Sequence, residues 1–397
     1  MDASSLLNKK LDSGDYTALL IGQYGSREYP SREIQEESLH ELFLLSDTAG
    51  IFNIYDMMVA NRNPDAGYFF TGGTLTKAKE SIQENSITLV IVDANLRPAQ
   101  IKNLEELWKI RVIGRVELIL DIFAMRAKTK EAALQVELAQ LTYILPRLKG
   151  LGGVLSRLGG GIGTRGPGET MLETDRRHIR RRIQKIKKDL VQVSKHRANA
   201  RKNRTIHTFS LVGYTNAGKT SLLNRLSSSA AKLFAEDRLF ATLDSYTRKV
   251  YLGEKDYKPL YCIVSDTVGF IRNLPLNLAA AFKSTLEEVS HVETIILVAD
   301  ASSLLAEEEI KVVEEELDKL EVSATNQILF FNKNDLVFPE EKEILEKKYP
   351  GAIWGDTLSK EGVSELRKKM FIISEGVTEN SDGQEVSKDD QPGSVSG

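Results

Sequence analysis

The chain has 397 residues, a hydrophobic fraction of 41% and a formal net charge of −3. This length predicts two or three domains, and the apolar content is sufficient for packed cores. The single cysteine, Cys262, excludes a disulfide framework and any multi-cysteine metal cluster.

We expect a monomer in a reducing cytosol, since a lone cysteine is typical of that compartment. The first residues lack the basic-then-apolar pattern of a signal peptide. The longest apolar runs are about the length of a strand, so we expect no membrane span and a cytoplasmic location.

Residues 1–116 are predicted to form an N-terminal α/β subdomain with a parallel sheet. Three short apolar runs resemble buried strands, at 18–22, 67–70 and 89–93. Between the first two, residues 31–50 have apolar positions at helical spacing. This alternation of strands and helices is the pattern of a parallel α/β domain.

Residues 117–204 are predicted to form a long antiparallel helical hairpin. Two leucine- and isoleucine-rich series repeat at spacings of mostly three and four residues, which is a heptad seam. The first series is Leu134, Leu138, Leu141, Leu145 and Leu148, and the second is Leu172, Ile179, Ile183, Ile186, Leu190 and Val193. Two ordinary core helices are the alternative interpretation.

The loop that joins the two helices, residues 150–168, contains nine glycines. So many glycines oppose a stable helix and allow the backbone to approach a ligand closely. A flexible linker is the plain alternative. With the basic helix behind it, the loop is better explained as a surface for RNA phosphates. The predicted RNA contacts are Arg157, Gly160, Gly161, Gly163, Arg165, Gly166, Arg176, Arg177 and Arg180.

Charge is segregated along the chain. Residues 147–204 hold 17 basic and 4 acidic side chains, a local charge of +13 that leaves −16 for the rest. A solvated helix face is one interpretation, but such faces usually mix both signs. The one-sided block therefore predicts a nucleic-acid surface.

Residues 205–373 are predicted to form a second α/β domain. Its strand-like segments are 207–214, 260–266, 294–300 and 327–333. The following residues, 374–397, are acidic and almost without apolar side chains, which predicts a disordered tail.

The first strand of this domain runs into a G-x-x-x-x-G-K-[ST] motif at 213–220, with a helical sequence after it. Backbone N–H groups of such a loop wrap phosphates, the lysine reaches the β- and γ-phosphates, and the threonine hydroxyl binds Mg²⁺. The predicted nucleotide contacts here are Gly213, Tyr214, Thr215, Asn216, Ala217, Gly218, Lys219, Thr220 and Ser221.

A D-x-x-G motif ends the strand at 260–266. Asp266 is predicted to hold Mg²⁺, usually through water, and the Gly269 amide to meet the γ-phosphate, with Thr267 and Val268 between them. The motif is weak alone, but its distance from Gly213 and its place at a strand end strengthen it.

An N-K-x-D motif at 332–335 follows the strand residues 327–331. The Asp335 carboxylate can accept two hydrogen bonds from guanine, and adenine offers no such pair of donors. The Lys333 stem can pack on the base, and Asn332 completes the motif. As the third element in order, this motif predicts GTP and GDP as ligands.

Thr242, which follows Phe240 and Ala241, is predicted to bind Mg²⁺ and the γ-phosphate only while GTP is present, as a switch. The predicted magnesium ligands are thus Thr220, Thr242 and Asp266, and the predicted catalytic residues are Lys219, Thr242 and Gly269. Phe270 stands where many small GTPases have a glutamine that orients water. We therefore expect slow intrinsic hydrolysis that a partner accelerates.

Together these motifs resemble the HflX family of ribosome-associated GTPases, over about residues 15–373. The resemblance rests on NLRPAQIKNLE (95–105), GGGIGTRGPGETMLETDRRHIRRRI (159–183), GYTNAGKTSLLN (213–224), FATLD (240–244), DTVGFIR (266–272) and the segment 117–148. It implies a Ras-like GTPase domain after the hairpin. It also implies binding to the large ribosomal subunit, with the glycine-rich tip near the peptidyl-transferase rRNA, and splitting of stalled or idle ribosomes under stress.

The sequence departs from the family pattern at several positions. Ser245 and Tyr246 replace a proline after FATLD, and Gly114 stands where an aspartate precedes arginine. Asp356 and Thr357 stand where the last guanine motif usually has Ser-Ala, so they are the predicted base contacts there.

Four functions remain open from sequence. A ribosome-splitting factor driven by GTP fits all the motifs. A ribosome-assembly factor that uses GTP as a binding timer shares them. An RNA-remodelling enzyme lacks further motifs, and a signalling GTPase leaves the +13 segment unexplained.

Overall fold

The structure is a computed structural model. It describes residues 16–26, 29–61, 64–155, 167–201, 206–227, 246–271, 292–303, 305–319 and 326–382. The chain divides into two units. Of the described residues, the first unit contains those up to Lys195 and Ile271, and the second contains those from His196 to Ser227, from Tyr246 to Phe270 and from Val292 onward.

The first unit contains a four-stranded parallel sheet in the order β2-β1-β3-β4. Its strands are β1 (Thr17–Tyr24), β2 (Asn53–Asn61), β3 (Leu89–Val92) and β4 (Arg111–Gly114). Four helices connect and follow them: α1 (Arg32–Thr48), α2 (Gly72–Glu84), α3 (Pro98–Trp108) and α4 (Arg115–Arg126). The central strands are apolar and buried along their length because helices cover both faces of a parallel sheet. The predicted parallel α/β subdomain is confirmed.

The prediction of a strand at 67–70 is wrong. The Asp65 carboxylate accepts hydrogen bonds from the backbone N–H groups of Gly67 and Tyr68, both at 2.8 Å. Phe69 has φ of 69°, and Asp65 and Phe69 exchange backbone hydrogen bonds that close a tight turn. Phe70 follows this turn and is buried in the apolar core, which accounts for its apolar side chain. The second strand is β2, at the sheet edge.

Two long helices follow, α5 (Lys130–Leu155) and α6 (Pro167–Arg201). Leu138, Leu141 and Leu148 of the first heptad series are buried, as are Ile179, Ile186 and Leu190 of the second. Helix α5 continues through residues 150–155, and α6 includes 167–168. The predicted loop of 150–168 is therefore too long at both ends, and residues 156–166 lie outside the described residues.

One ion pair joins the two helices in the manner of an antiparallel hairpin. The Arg182 guanidinium of α6 donates two hydrogen bonds of 2.6 Å to the Glu137 carboxylate of α5. Glu137 lies 18 residues before the end of α5, and Arg182 lies 15 residues after the start of α6. Contacts at similar distances from the connecting segment are what antiparallel helices give.

The second unit contains a six-stranded sheet in the order β10-β9-β8-β5-β7-β6, in which β6 pairs antiparallel with β7 and the other pairs are parallel. The strands are β5 (Thr208–Gly213), β6 (Tyr246–Lys255), β7 (Lys258–Asp266), β8 (Thr294–Asp300), β9 (Asn326–Asn332) and β10 (Ile353–Trp354). The helices are α7 (Lys219–Leu226), α8 (Ala306–Lys319), α9 (Pro339–Lys348) and α10 (Ser364–Asp382), with short 3₁₀ turns at Asn334–Leu336 and Glu361–Val363.

Apolar clusters cover both faces of this sheet. Because β5, β7, β8 and β9 are parallel, their carboxyl ends lie at one edge. Ligands of parallel α/β sheets bind at that edge. The predicted disordered tail from 374 begins too early, because α10 continues to Asp382 and Ser374 is buried. None of the helices in the described parts of the chain is both long and apolar enough to cross a bilayer.

Candidate nucleotide site

The loop between β5 and α7 has the geometry of a phosphate-binding loop. Gly218 has φ of +91° directly before the first residue of α7, a conformation that favours glycine. A Cβ atom on Gly213 would lie 2.1 Å from the carbonyl oxygen of Val298. Both glycines are therefore required by the backbone path, and the loop leads its N–H groups to the start of a helix, where anions bind.

Lys219 lies folded under this loop. Its Nζ atom is 3.0 Å from the Gly213 carbonyl oxygen and 2.7 Å from that of Tyr214. Burial lowers the pKa of Lys219 to about 8, although the nearby carboxylates of Asp266 and Glu309 act in the opposite direction. A buried cation at this point can neutralise phosphate charge.

Thr220 and Asp266 meet at the start of α7. The Thr220 hydroxyl donates to the Asp266 carboxylate over 2.6 Å, and the Asp266 side chain is fully buried. Magnesium prefers oxygen donors and keeps several of its waters. The Thr220 hydroxyl and the Asp266 carboxylate, which are in contact, fit such an ion. The waters that the ion keeps can fill its remaining coordination positions. Thr242, with Phe240 and Ala241, lies outside the described residues.

The D-x-x-G segment packs directly on the phosphate-binding loop. The Thr215 N–H donates to the Phe270 carbonyl oxygen over 2.8 Å, and the Phe270 N–H donates to that of Gly213 over 3.1 Å. A Cβ atom on Gly269 would lie 2.8 Å from Thr215 Cα and 3.0 Å from Lys219 Nζ. Only glycine fits there, which brings its backbone beside the lysine ammonium. Thr267 anchors the segment by donating to the Leu211 carbonyl oxygen over 2.7 Å.

The N-K-x-D segment borders the same loop. Asn332 is buried and its Nδ2 atom donates to the Ala217 carbonyl oxygen over 2.9 Å. Lys333 has φ of 59°, and its Nζ atom lies 2.6 Å from Oδ2 of Asp300. Asp335 is exposed, so its carboxylate is accessible to a base.

The 355–362 segment is held against these two motifs. The Asp356 carboxylate accepts from the backbone N–H groups of Leu358 and Ser359, at 2.9 and 3.0 Å. Arg225 of α7 donates to the Thr357 carbonyl oxygen over 2.8 Å. The Asn334 N–H donates to the Gly355 carbonyl oxygen over 3.1 Å. The Asp356 side chain thus shapes the turn.

Sequence reasoning missed two residues of this arrangement, Asp300 and Arg225. Asp300 is the last residue of the buried strand β8, at its carboxyl end, and this position could have identified it. Arg225 carries no such signal, because an arginine in a short amphipathic helix is ordinary. Asn216, with φ of 64°, and Tyr214, which is buried, take the two loop positions predicted for them.

The predicted RNA contacts lie in the first unit or outside the described residues. Arg157, Gly160, Gly161, Gly163, Arg165 and Gly166 fall outside them. On α6, Arg177 and Arg180 are exposed and Arg176 is half-buried. These three arginines line a recess of about 470 Å³ together with Glu173 and Thr174.

The fold and this site define a P-loop GTPase, an enzyme that hydrolyses GTP. Three family models match the chain, described as "GTP-binding GTPase N-terminal" over 36–124, "GTP-binding GTPase Middle Region" over 126–204 and "50S ribosome-binding GTPase" over 208–333. The chain belongs to the HflX family of GTPases, as its relatives show.

Two of these relatives illustrate the match. The GTPase HflX of Caldanaerobacter subterraneus is 48% identical over 305 residues, covering 76% of this chain and 70% of the relative. That of Escherichia coli K12 is 39% identical over 343 residues, covering 85% and 79%. A solved structure described as SsGBP in complex with GDP has a TM-score of 0.51 and 24% identity, and covers 91% of this chain and 99% of its own. That likeness shows the fold alone.

Proposed function

We propose that this GTPase binds the large ribosomal subunit in its GTP state and splits stalled or idle ribosomes into subunits. The observation that carries the proposal is the exposed basic surface of α6 in the same chain as a guanine-nucleotide site. One matching family model is described as a 50S ribosome-binding GTPase, which supports this partner.

The basic surface of α6 is defined by six exposed side chains: Arg177, Arg180, Arg181, Lys185, Lys187 and Lys188. Within the described part of the chain, none of the six takes part in an ion pair, whereas Arg182 beside them is bound to Glu137. Cations that are not committed to protein carboxylates can release counterions from RNA phosphates. The glycine-rich tip is proposed to enter the rRNA beyond this surface.

The nucleotide site is proposed to act through the positions found above. Lys219 neutralises charge on the β- and γ-phosphates, and the Gly269 N–H approaches the γ-phosphate. Thr220 and Asp266 would hold Mg²⁺, joined by Thr242, and the ion supplies charge stabilisation when bound. Asp335 and Lys333 take the guanine base, next to the 356–357 segment.

Sucrose gradients test the splitting activity. We expect 70S particles to separate into subunits when the protein is added with a non-hydrolysable GTP analogue, and GDP to be ineffective. Intact 70S particles would contradict splitting. Association with immature large subunits, without loss of 70S particles, would instead support a ribosome-assembly factor.

GTPase measurements test the proposed contact. Purified large subunits are expected to accelerate slow intrinsic hydrolysis, and deletion of residues 157–166 to remove that acceleration. Unchanged stimulation after the deletion would contradict a role for the tip.

A further inference from the structure

The position after Gly269 leaves hydrolysis without a side chain to orient the attacking water. Phosphoryl transfer depends mainly on positioning and charge, and many GTPases place a glutamine at this position. Here Phe270 is 6% exposed and packs in the apolar cluster with Val212, Tyr214 and Ile295. Its side chain has no hydrogen-bonding group and faces a core, so it cannot orient the water.

The side-chain hydroxyl of Thr215 is buried and unpaired in the described part of the protein. Its side chain is 5% exposed, and Oγ1 has no hydrogen-bond partner within the described residues. Leaving a buried hydroxyl unpaired destabilises the folded protein. The phosphate-binding motif leaves this position open to any residue, so the hydroxyl is not required by the loop path.

The location of Thr215 matches the γ-phosphate end of GTP. The point that a Cβ atom on Gly269 would occupy lies 2.8 Å from both Cα and Cγ2 of Thr215, and 3.0 Å from Lys219 Nζ. Lysine at this motif position reaches the β- and γ-phosphates. The Thr215 side chain therefore lies where the lysine ammonium and the D-x-x-G backbone converge. The backbone bridge to Phe270 fixes it there.

We propose that Thr215 is a catalytic residue whose hydroxyl accepts a hydrogen bond from the attacking water and holds it in line with the γ-phosphorus. The water oxygen bonds to that phosphorus while the bond to the bridging oxygen breaks. The electron pair of the broken bond stays with GDP. Both hydrogens of the water leave with inorganic phosphate, one on the former water oxygen and one transferred to a γ-phosphate oxygen. The inference rests on GTP hydrolysis and is independent of the ribosomal role.

Thr215→Val separates this role from a structural one. Valine has the same shape, and replacing an unpaired buried hydroxyl with a methyl group is neutral or stabilising for the fold. We expect the single-turnover rate of GTP hydrolysis, measured without ribosomes, to fall about 10- to 100-fold. Affinity for GDP and for a non-hydrolysable GTP analogue is expected to change less than about threefold, since the hydroxyl is proposed to contact the water and not the nucleotide.

Two variants serve as controls. Thr215→Ser keeps the hydroxyl and is expected to hydrolyse GTP at least about fivefold faster than Thr215→Val. Ser210→Ala removes another fully buried hydroxyl without a partner in the described residues, in strand β5, three residues before Gly213 and outside the phosphate-binding motif. It is expected to hydrolyse GTP at the wild-type rate.

The outcomes decide the proposal. Wild-type turnover in Thr215→Val would overturn it. A parallel loss of GDP affinity and rate would overturn it too, because the hydroxyl would then bind the nucleotide without acting on the water. If Thr215→Val unfolds, Thr215→Ala with the same measurements takes its place. Failure of ribosome splitting would leave these results unaffected.

Discussion

At the scale of single residues, the burial of Lys219 has a direct consequence for nucleotide binding. Burial lowers its pKa to about 8 in the nucleotide-free protein. Phosphate groups bind the charged form, so above pH 8 the lysine must regain a proton before it can pair with them. We expect affinity for GDP to fall about tenfold between pH 7 and pH 9. Titration with fluorescent GDP measures this.

Lys219→Met is the control for this effect. Methionine keeps much of the apolar stem and cannot titrate, so its weaker affinity is expected to be flat over the same pH range. Equal pH profiles for the two proteins would show that another group causes the change.

The spacing of the motifs predicts Gly213, Gly218 and Gly269 as nucleotide contacts. Each has a backbone conformation or contact that excludes a side chain, and its contact with the nucleotide stays a prediction. Asp356 and Thr357 were identified from the order of motifs alone. In the structure the Asp356 carboxylate accepts a hydrogen bond from the Leu358 N–H and so holds the turn. The Thr357 carbonyl oxygen accepts one from Arg225. Contacts between distant segments, such as this one, leave no periodic signal.

At the scale of elements, a buried ion cluster ties α1 and α4 to strand β3 in the first unit. The Arg115 guanidinium, 2% exposed, donates to Asp93 over 2.9 Å and also contacts Glu41. Asp93 in turn accepts from Gln35 over 2.7 Å. Removing Asp93 takes one of its carboxylate partners from the buried Arg115 and an acceptor from Gln35. Asp93→Ala is expected to cost about 3–5 kcal/mol of unfolding free energy.

Urea unfolding measures this cost, and Arg32→Ala is the matched control. Arg32 pairs with Glu36 on the surface of α1, with both side chains largely exposed. Water screens such pairs, so no measurable loss is expected. A small effect of Asp93→Ala would mean that the cluster relaxes or admits water.

Helix α6 offers a second matched pair in neighbouring arginines. Arg181 belongs to the basic surface, whereas Arg182 is bound to Glu137 by two hydrogen bonds. We expect Arg181→Ala to weaken binding to large subunits. The slope of log affinity against log salt concentration is expected to fall in magnitude by about one, the contribution of one phosphate contact. Arg182→Ala is expected to weaken it less, because its charge is already compensated. Equal losses would contradict the assignment of the binding face.

Elements were harder to predict at sheet edges than at the centre. Strand β2 was missed because it is an edge strand, with Asp56 and exposed positions along most of its length. The segment 67–70 was misassigned because a local Asp65 turn outweighs the β-propensity of its aromatic residues. By contrast, β1 and β3 are buried throughout, and their continuous apolar runs were unambiguous.

At the scale of the whole molecule, the average charge is a poor guide to the partner. The net charge of −3 combines +13 in residues 147–204 with −16 elsewhere. The structure keeps this segregation, since Arg177, Arg181 and Lys188 lie exposed on one helix. A chain that is acidic on average can therefore bind a polyanion through one basic element. The acidic remainder of the chain repels the polyanion and limits the orientations in which the two can bind.

This segregation predicts a steep salt dependence for binding to the large subunit. If about four of the six basic side chains meet phosphates, affinity falls about 10²-fold between 50 and 200 mM salt. Filter binding or sedimentation with the full chain measures the slope. GDP affinity over the same range is the control and is expected to change far less, because GDP has two phosphate groups and no condensed counterions to release. A shallow slope would show that the tip and apolar contacts, rather than the basic surface of α6, dominate ribosome binding.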